Sequence, residues 1–181
     1  MVVKTKHSEA IFGADCWDAL NSCVKDNAYS AVFVLTDNNT NLHCLPHASS
    51  KIQFDYKTLE MLAGEENKHI QSCVSLWDSL SEMGADRKSI LINIGGGVVT
   101  DLGGFVACTF KRGIDFINIP TSLLAMVDAS VGGKTGIDLG ALKNQVGIIR
   151  EPKMVLVDTD FLGTLPDSEY RSGYAEMLKH G

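Results

Sequence analysis

The stretch Ser89–Gly136, SILINIGGGVVTDLGGFVACTFKRGIDFINIPTSLLAMVDASVGGKTG, decides the fold. Ser89 to Ile94 is uncharged and dominated by isoleucine and leucine, the pattern of a strand buried on both faces of a parallel sheet. Gly95, Gly96 and Gly97 end it. They let the chain turn sharply and let a ligand approach the backbone, and a helix from about Val98 would offer free N–H groups to an anion. The spacing departs from the dinucleotide fingerprint, because Thr100 stands where a third glycine is expected. Asp115 lies at about the distance of a ribose-binding acid but opens the next strand, Phe116 to Ile119, instead of closing it. On these residues alone a nucleotide site and a plain strand-to-helix turn both stay open.

On the amino-terminal side, a short strand is predicted around Met1 to Thr5 and a helix from about Asp15, with Trp17, Leu20 and Val24 on its core face. Tyr29 to Leu35 reads as a second buried strand, closed by the turn and cap residues Thr36 to Thr40, where Asp37 either caps or meets a ligand. His43 and His47 are four apart, but Pro46 between them breaks a helix that would align them, so no metal is expected there. Lys51 to Ala63 fits a helix or a strand. In Gly64-Glu65-Glu66-Asn67-Lys68 the charges read, by pattern, as solvated first-turn residues. Ile70, Cys73, Val74, Trp77 and Leu80 form a helical core stripe that Gly84 ends. Alternating strands and helices from Tyr29 to Ile119 predict an α/β domain with a mostly parallel sheet.

On the carboxyl-terminal side, Lys134 to Ala141 reads as loop. Val146 to Ile149 and Met154 to Val157 read as short strands around a turn at Pro152. A last helix begins near Pro166, and a domain boundary is placed near Asp160, giving domains 1–160 and 161–181.

The net charge of −6 argues against general nucleic-acid binding. Five cysteines without a C-x-x-C pair suit a reducing cytoplasm better than a disulfide framework. No signal peptide or membrane-length apolar run is visible, so a soluble cytoplasmic protein is expected.

Lys111-Arg112-Gly113, Ile119-Pro120-Thr121-Ser122-Leu123-Leu124, Asp128-x-Ser130-Val131-Gly132-Gly133-Lys134-Thr135-Gly136, Lys143-Asn144 and Gly173-x-Ala175-Glu176-x-x-Lys179 occur in one order. This constellation resembles the 3-dehydroquinate synthase family from about Gly64 onward. The resemblance implies a Rossmann-like NAD-binding domain followed by the start of an α-helical metal-binding domain. It implies conversion of 3-deoxy-D-arabino-heptulosonate 7-phosphate to 3-dehydroquinate and phosphate, with NAD and a divalent metal, zinc or cobalt. It also implies a homodimer, and that the chain is the amino-terminal part of a longer enzyme whose two histidine metal ligands lie downstream.

Residue by residue, the resemblance implies cofactor contacts at Gly64, Glu65, Lys68, Gly96, Gly97, Val98, Val99, Thr100, Asp101, Thr121, Ser122, Phe161, Leu162 and Thr164, with Lys134 and Lys143 shared between cofactor and substrate. Ala63 replaces an acid common before that first glycine, and Ser122 replaces a commoner threonine. Substrate and catalytic roles fall to Asp128, Lys134, Lys143, Asn144 and Lys179, with Arg112 reaching the phosphate from the neighbouring subunit. Glu176 is implied as a metal ligand; read alone, Glu176 and Lys179 are an exposed helical ion pair. Related readings are another sugar-phosphate cyclase, of the 2-deoxy-scyllo-inosose or epi-valiolone synthase type, a metal-dependent polyol dehydrogenase, and a noncatalytic NAD-binding module.

Overall fold

A computed structural model of the chain describes residues 1–4 and 8–180, the His180 side chain excepted. Nine strands and six α-helices are described: β1 Val2–Lys4, β2 Glu9–Phe12, α1 Asp15–Asn27, β3 Val32–Asp37, α2 Asn38–His43, α3 Leu45–Ser49, β4 Lys57–Met61, α4 Ile70–Glu82, β5 Ile90–Gly95, α5 Gly97–Thr109, β6 Asp115–Pro120, β7 Lys134–Leu139, β8 Leu142–Ile149, β9 Met154–Val157 and α6 Asp167–His180. The main sheet has the order β1-β2-β9-β6-β5-β3-β4, parallel throughout except for β1 against β2.

Period-two side-chain alternation sends the central strands into two cores. Val32, Val34, Ile90, Ile92 and Ile94 meet Trp17, Leu20 and Val24 of α1 on one face. Phe33, Leu35 and Leu91 meet Cys73, Leu76 and Leu80 of α4, together with α5, on the other. Each such aliphatic or aromatic side chain contributes about 1.5–3 kcal/mol on full burial, which explains why these uncharged strands occupy the middle of the sheet. Chain order reverses between β3 and β5, because β4 lies outside β3 while the chain crosses back to β5. Ligands of open α/β sheets bind at such a reversal, beyond the carboxyl ends of the strands.

Several expectations are corrected. Lys134 to Ala141 is not a loop: Lys134–Leu139 pairs antiparallel with β8 through a turn at Gly140, whose φ is +60°. β8 is twice the expected length, while β9 has the bounds expected of it and enters the main sheet between β2 and β6. The amino-terminal region holds an unforeseen strand, Glu9–Phe12, and Thr5, assigned to the first strand, lies outside the described residues. The second buried strand runs Val32–Asp37, and the ambiguous segment resolves to strand Lys57–Met61. On α4 the core stripe is Cys73, Leu76 and Leu80, while Ile70 and Val74 are exposed.

Candidate functional site

The carboxyl ends of β5 and β6 build a cradle. Gly96 precedes α5 with no side-chain cap, and the Thr100 N–H closes the first helical bond onto the Gly96 carbonyl at 3.1 Å. The earlier helix N–H groups therefore face the crevice uncapped, a natural anion seat. A Cβ at Gly96 would stand 3.3 Å from Ser122 Oγ and one at Gly97 3.3 Å from Ala129 Cβ, so side chains here would narrow the crevice. Thr121 N–H bonds the Gly95 carbonyl at 3.0 Å, fixing the β6 end to the cradle. Thr100, in the place of the third glycine, is buried and turns its hydroxyl back to the Gly97 carbonyl at 3.1 Å. Close packing of helix on strand, the usual work of that glycine, passes to Gly103, where a Cβ would overlap Asn93 and press on Leu35.

Beside the cradle, Lys68 is 4% exposed, contrary to its reading as a solvated charge. Its Nζ donates to Asp101 Oδ2 at 2.6 Å and to Asn144 Oδ1 at 2.7 Å. The Lys68 carbonyl accepts from Asp138 N–H at 2.8 Å, and Asp138 Oδ1 accepts from Asn144 N–H at 2.7 Å. Lys143 Nζ reaches Glu65 Oε1 at 3.2 Å. The tip of the β7–β8 hairpin is thus clasped onto the 64–68 turn, and residues that are far apart in sequence meet here. Burial holds Asp101 above the ordinary carboxylate range, with Lys68 opposing.

Asp128 sits in a π-turn, Ala125–Ala129, and its charge acts on both Asp101 and Lys179. Lys179 Nζ donates to Glu176 Oε1 at 2.8 Å, and that bond, reinforced by Asp128, raises the Lys179 pKa. Gly173 carries α6 onto Leu123 and Leu124, where a Cβ would not fit. Glu176 belongs to no group of three metal-ligating side chains among the described residues.

Phe161, Leu162 and Thr164 follow β9 in a 3-10 segment, Thr159–Thr164. Phe161 is 2% exposed and stacks edge-on with Trp17 and His47, so only its backbone can face a ligand. Val99 is likewise buried, its side chain filling the space beside Gly95. Asp37 caps α2 in a capping box with Thr40.

Arg112 stands apart. It precedes β6 at the amino edge of the sheet, exposed, in a left-handed run with φ of +51° at Lys111, +72° at Arg112 and +112° at Gly113. The six residues of β6 put about 20 Å between the two edges. Lys134, exposed, opens β7, at the other end of the hairpin from Lys143 and Asn144.

Sequence reading missed three groups. The Asn93–Asn118 pair lies inside apolar strands, where an asparagine carries no motif signal. Asp138 announces no role without its hairpin. Asp158 accepts from Trp17 Nε1 at 2.8 Å and pairs with His47 Nε2 at 2.9 Å. With Asp160, His47 and Asp158 place one ligand atom each within 4.8 Å of one another. The bonds from Trp17, His47 and the Asp160 N–H to Asp158 tie α1, α3 and the 159–164 segment together.

A mostly parallel sheet with a glycine cradle and an uncapped helix beside its order reversal is the architecture in which open α/β folds hold nucleotides. The family described as 3-dehydroquinate synthase N-terminal matches residues 58–172, and the chain belongs to that family. It is 51% identical over 154 residues to the 3-dehydroquinate synthase of Parabacteroides distasonis, covering 84% of this chain and 44% of that protein. With the 3-dehydroquinate synthase of Endomicrobium trichonymphae it shares 39% identity, covering 98% of this chain and 50% of that protein. The chain spans about half the length of these relatives. Among solved structures, ValA (2-epi-5-epi-valiolone synthase) from Streptomyces hygroscopicus with NAD+ and Zn2+ bound superposes with TM-score 0.84 at 26% identity, over 99% of this chain and 50% of that one. The fold is shared as well with 2-deoxy-scyllo-inosose synthase complexed with carbaglucose-6-phosphate, NAD+ and Co2+, at TM-score 0.86 and 24% identity, over 99% of this chain and 50% of that one. No helix among the described residues is long and apolar enough to cross a membrane.

Proposed function

We propose that the chain forms the cofactor-binding half of a 3-dehydroquinate synthase, which closes 3-deoxy-D-arabino-heptulosonate 7-phosphate into 3-dehydroquinate with loss of phosphate. The carrying observation is the glycine cradle at the sheet's order reversal, with Ser122, Ala129 and Thr121 walling it. Residues 1–160 are read as the cofactor domain and 161–181 as the beginning of a helical domain.

The residues present fit a dinucleotide. Gly96, Gly97 and the N–H groups of Val98 and Val99 would hold its pyrophosphate, and Thr100 keeps that turn closed. Gly64, Glu65, Lys68, Asp101, Thr121, Ser122, Leu162, Thr164 and the Phe161 backbone would line the remainder. NAD bound there would take a hydride from one hydroxyl-bearing substrate carbon and later return it, making that carbon transiently a ketone and so acidifying the neighbouring C–H. The fit to a metal is one carboxylate, Glu176, so no step is derived through an ion; further ligands would belong to the part of its relatives' length that this chain does not span.

Lys134, Lys143 and Lys179 would neutralise the carboxylate and phosphate of the substrate, as a doubly anionic ligand requires. Asp128 would orient substrate hydroxyls and hold Lys179 protonated, and Asn144, fixed by Lys68, would present its amide to the same substrate. Arg112, at the sheet edge opposite the cradle, would serve a second subunit's phosphate site in a homodimer. Five free cysteines, four of them buried, accord with a reducing cytoplasm. Identity to the dehydroquinate synthases, well above that to the valiolone and inosose synthases, favours the heptulosonate over other sugar phosphates.

The test is calorimetric titration of the chain with NAD+, alongside Gly97→Val. Saturable binding that the variant removes is expected; a wild-type chain that does not bind NAD+ would sink the reading. Phosphate release by the 181-residue chain alone, given NAD+ and zinc, would overturn the assignment of half a site to it.

A further inference from the structure

Beneath the cradle runs a line of buried polar groups that none of the proposed binding roles uses. Asn93 and Asn118 are partners across β5 and β6, at 0% and 4% exposure. Asn93 Nδ2 donates to Asn118 Oδ1 at 2.9 Å, and Asn118 Nδ2 donates to the Ser130 carbonyl at 3.5 Å. Ser130 Oγ then donates to the Ala125 carbonyl at 2.6 Å, and the Ser130 N–H reaches that same carbonyl at 3.1 Å. At the far end Asn93 Oδ1 is buried with no hydrogen-bond partner. It faces the α-hydrogen of Gly103, on the line where a Cβ would overlap it.

Apolar residues would fill these strand positions without the desolvation cost of an unbonded amide oxygen. The compensation is geometric. A π-turn is a rare conformation that needs support, and the one at Ala125–Ala129 is closed by Ser130 and held from below by Asn118. Asn93 stands two residues before the first cradle glycine, and Asn118 three before Thr121.

We infer that Asn93, Asn118 and Ser130 are positioning residues that fix the Asp128 turn relative to the Gly95–Gly97 cradle, holding the substrate-orienting carboxylate in register with the cofactor. The inference rests on the function proposed above for Asp128. Ser130→Ala removes the hydroxyl that closes the turn, Ser130→Thr restores one, and Asn118→Leu removes the link between strand and turn at similar volume.

Amide exchange is read on the chain itself, and catalysis on the chain completed to its relatives' length. Ser130→Ala and Asn118→Leu are expected to speed exchange at Ser130 and Val131, leave NAD+ affinity unchanged, and lower kcat/KM for the heptulosonate about 10- to 100-fold. Ser130→Thr is expected to recover most of that loss. Equal losses of NAD+ affinity and turnover would indicate general destabilisation and overturn the inference, as would unchanged exchange at Val131 or unchanged kcat/KM in a folded variant. Should Asn118→Leu fail to fold, Ser130→Ala carries the test. A wild-type enzyme that turns over no heptulosonate would refute the proposed function instead; the exchange rates then decide whether the network holds the turn.

Discussion

Lys68 Nζ lies 2.6 Å from Asp101 Oδ2, the ammonium 4% and the carboxylate 20% exposed. The ion pair joins the turn after β4 to the second turn of α5, and through Asn144 it also seizes the hairpin tip. Removing one member of a buried pair strands the other. Lys68→Met is therefore expected to cost about 2–3 kcal/mol, somewhat below the full burial penalty because Asp101 retains contact with water. Urea unfolding checks the value. The double variant Lys68→Met/Asp101→Leu should recover part of the loss, and a harmless single variant would show that the pair carries no weight.

The same burial sets a pH dependence. Asp101 is held above the ordinary carboxylate range by burial, with Lys68 only partly opposing. Between the unfolded value, about 3.9, and the higher folded value, the folded chain keeps a proton that the unfolded chain has released. Stability contributed at Asp101 therefore falls as pH rises through that window. A carboxyl NMR titration should put the Asp101 midpoint above the reference; a midpoint below it would contradict the burial argument.

Asp158 behaves in the opposite sense. Burial pushes it up, but bonds from His47, Trp17 and the Asp160 N–H outweigh that and lower its pKa. Its stability contribution is present above about pH 3.9 and is lost as pH falls through the lower folded value. Trp17→Phe keeps the ring and deletes one donor, so a loss of about 1–2 kcal/mol is expected at neutral pH. The Asp158 midpoint should move upward in the same variant, measured in the same titration.

How far these features could be read in advance depends on what writes them into the sequence. Strand Ile90–Gly95 and the glycines after it were legible because burial on both faces demands an unbroken apolar run and a tight turn demands glycine. Helix α1 was legible because Trp17, Leu20 and Val24 keep helical spacing. Of the β7–β8 hairpin only Val146 to Ile149 was legible, since every residue of β8 is exposed; β7 and the first half of β8 are defined by their pairing. Lys68 looked solvated because its burial comes from Asp101 and Asn144, residues remote in sequence.

Thiol chemistry offers a separate check. Burial pushes Cys16 up to about 11 and Cys73 up to about 12, and it raises Cys44, Cys108 and half-buried Cys23 as well. At mildly alkaline pH a disulfide reagent should react with the native chain slowly at Cys23 and more slowly still at the other four, with full reaction only after unfolding. Rapid modification of Cys16 or Cys73 in the native state would mean that the cores open far more readily than their packing implies.

The placement of β9 between β2 and β6 has a consequence for biosynthesis. Strands from Val32 to Pro120 can pair as soon as they leave the ribosome, but β2, made almost first, finds its parallel neighbour only when Met154–Val157 emerges. Until then β2 and β6 each present an open hydrogen-bonding edge, the kind of edge that invites pairing between nascent chains. Closing the sheet across so long a span of chain is slow by nature. The order of synthesis therefore makes β9 the latch of the fold, and the interval before it closes is when the polypeptide most needs protection from its neighbours.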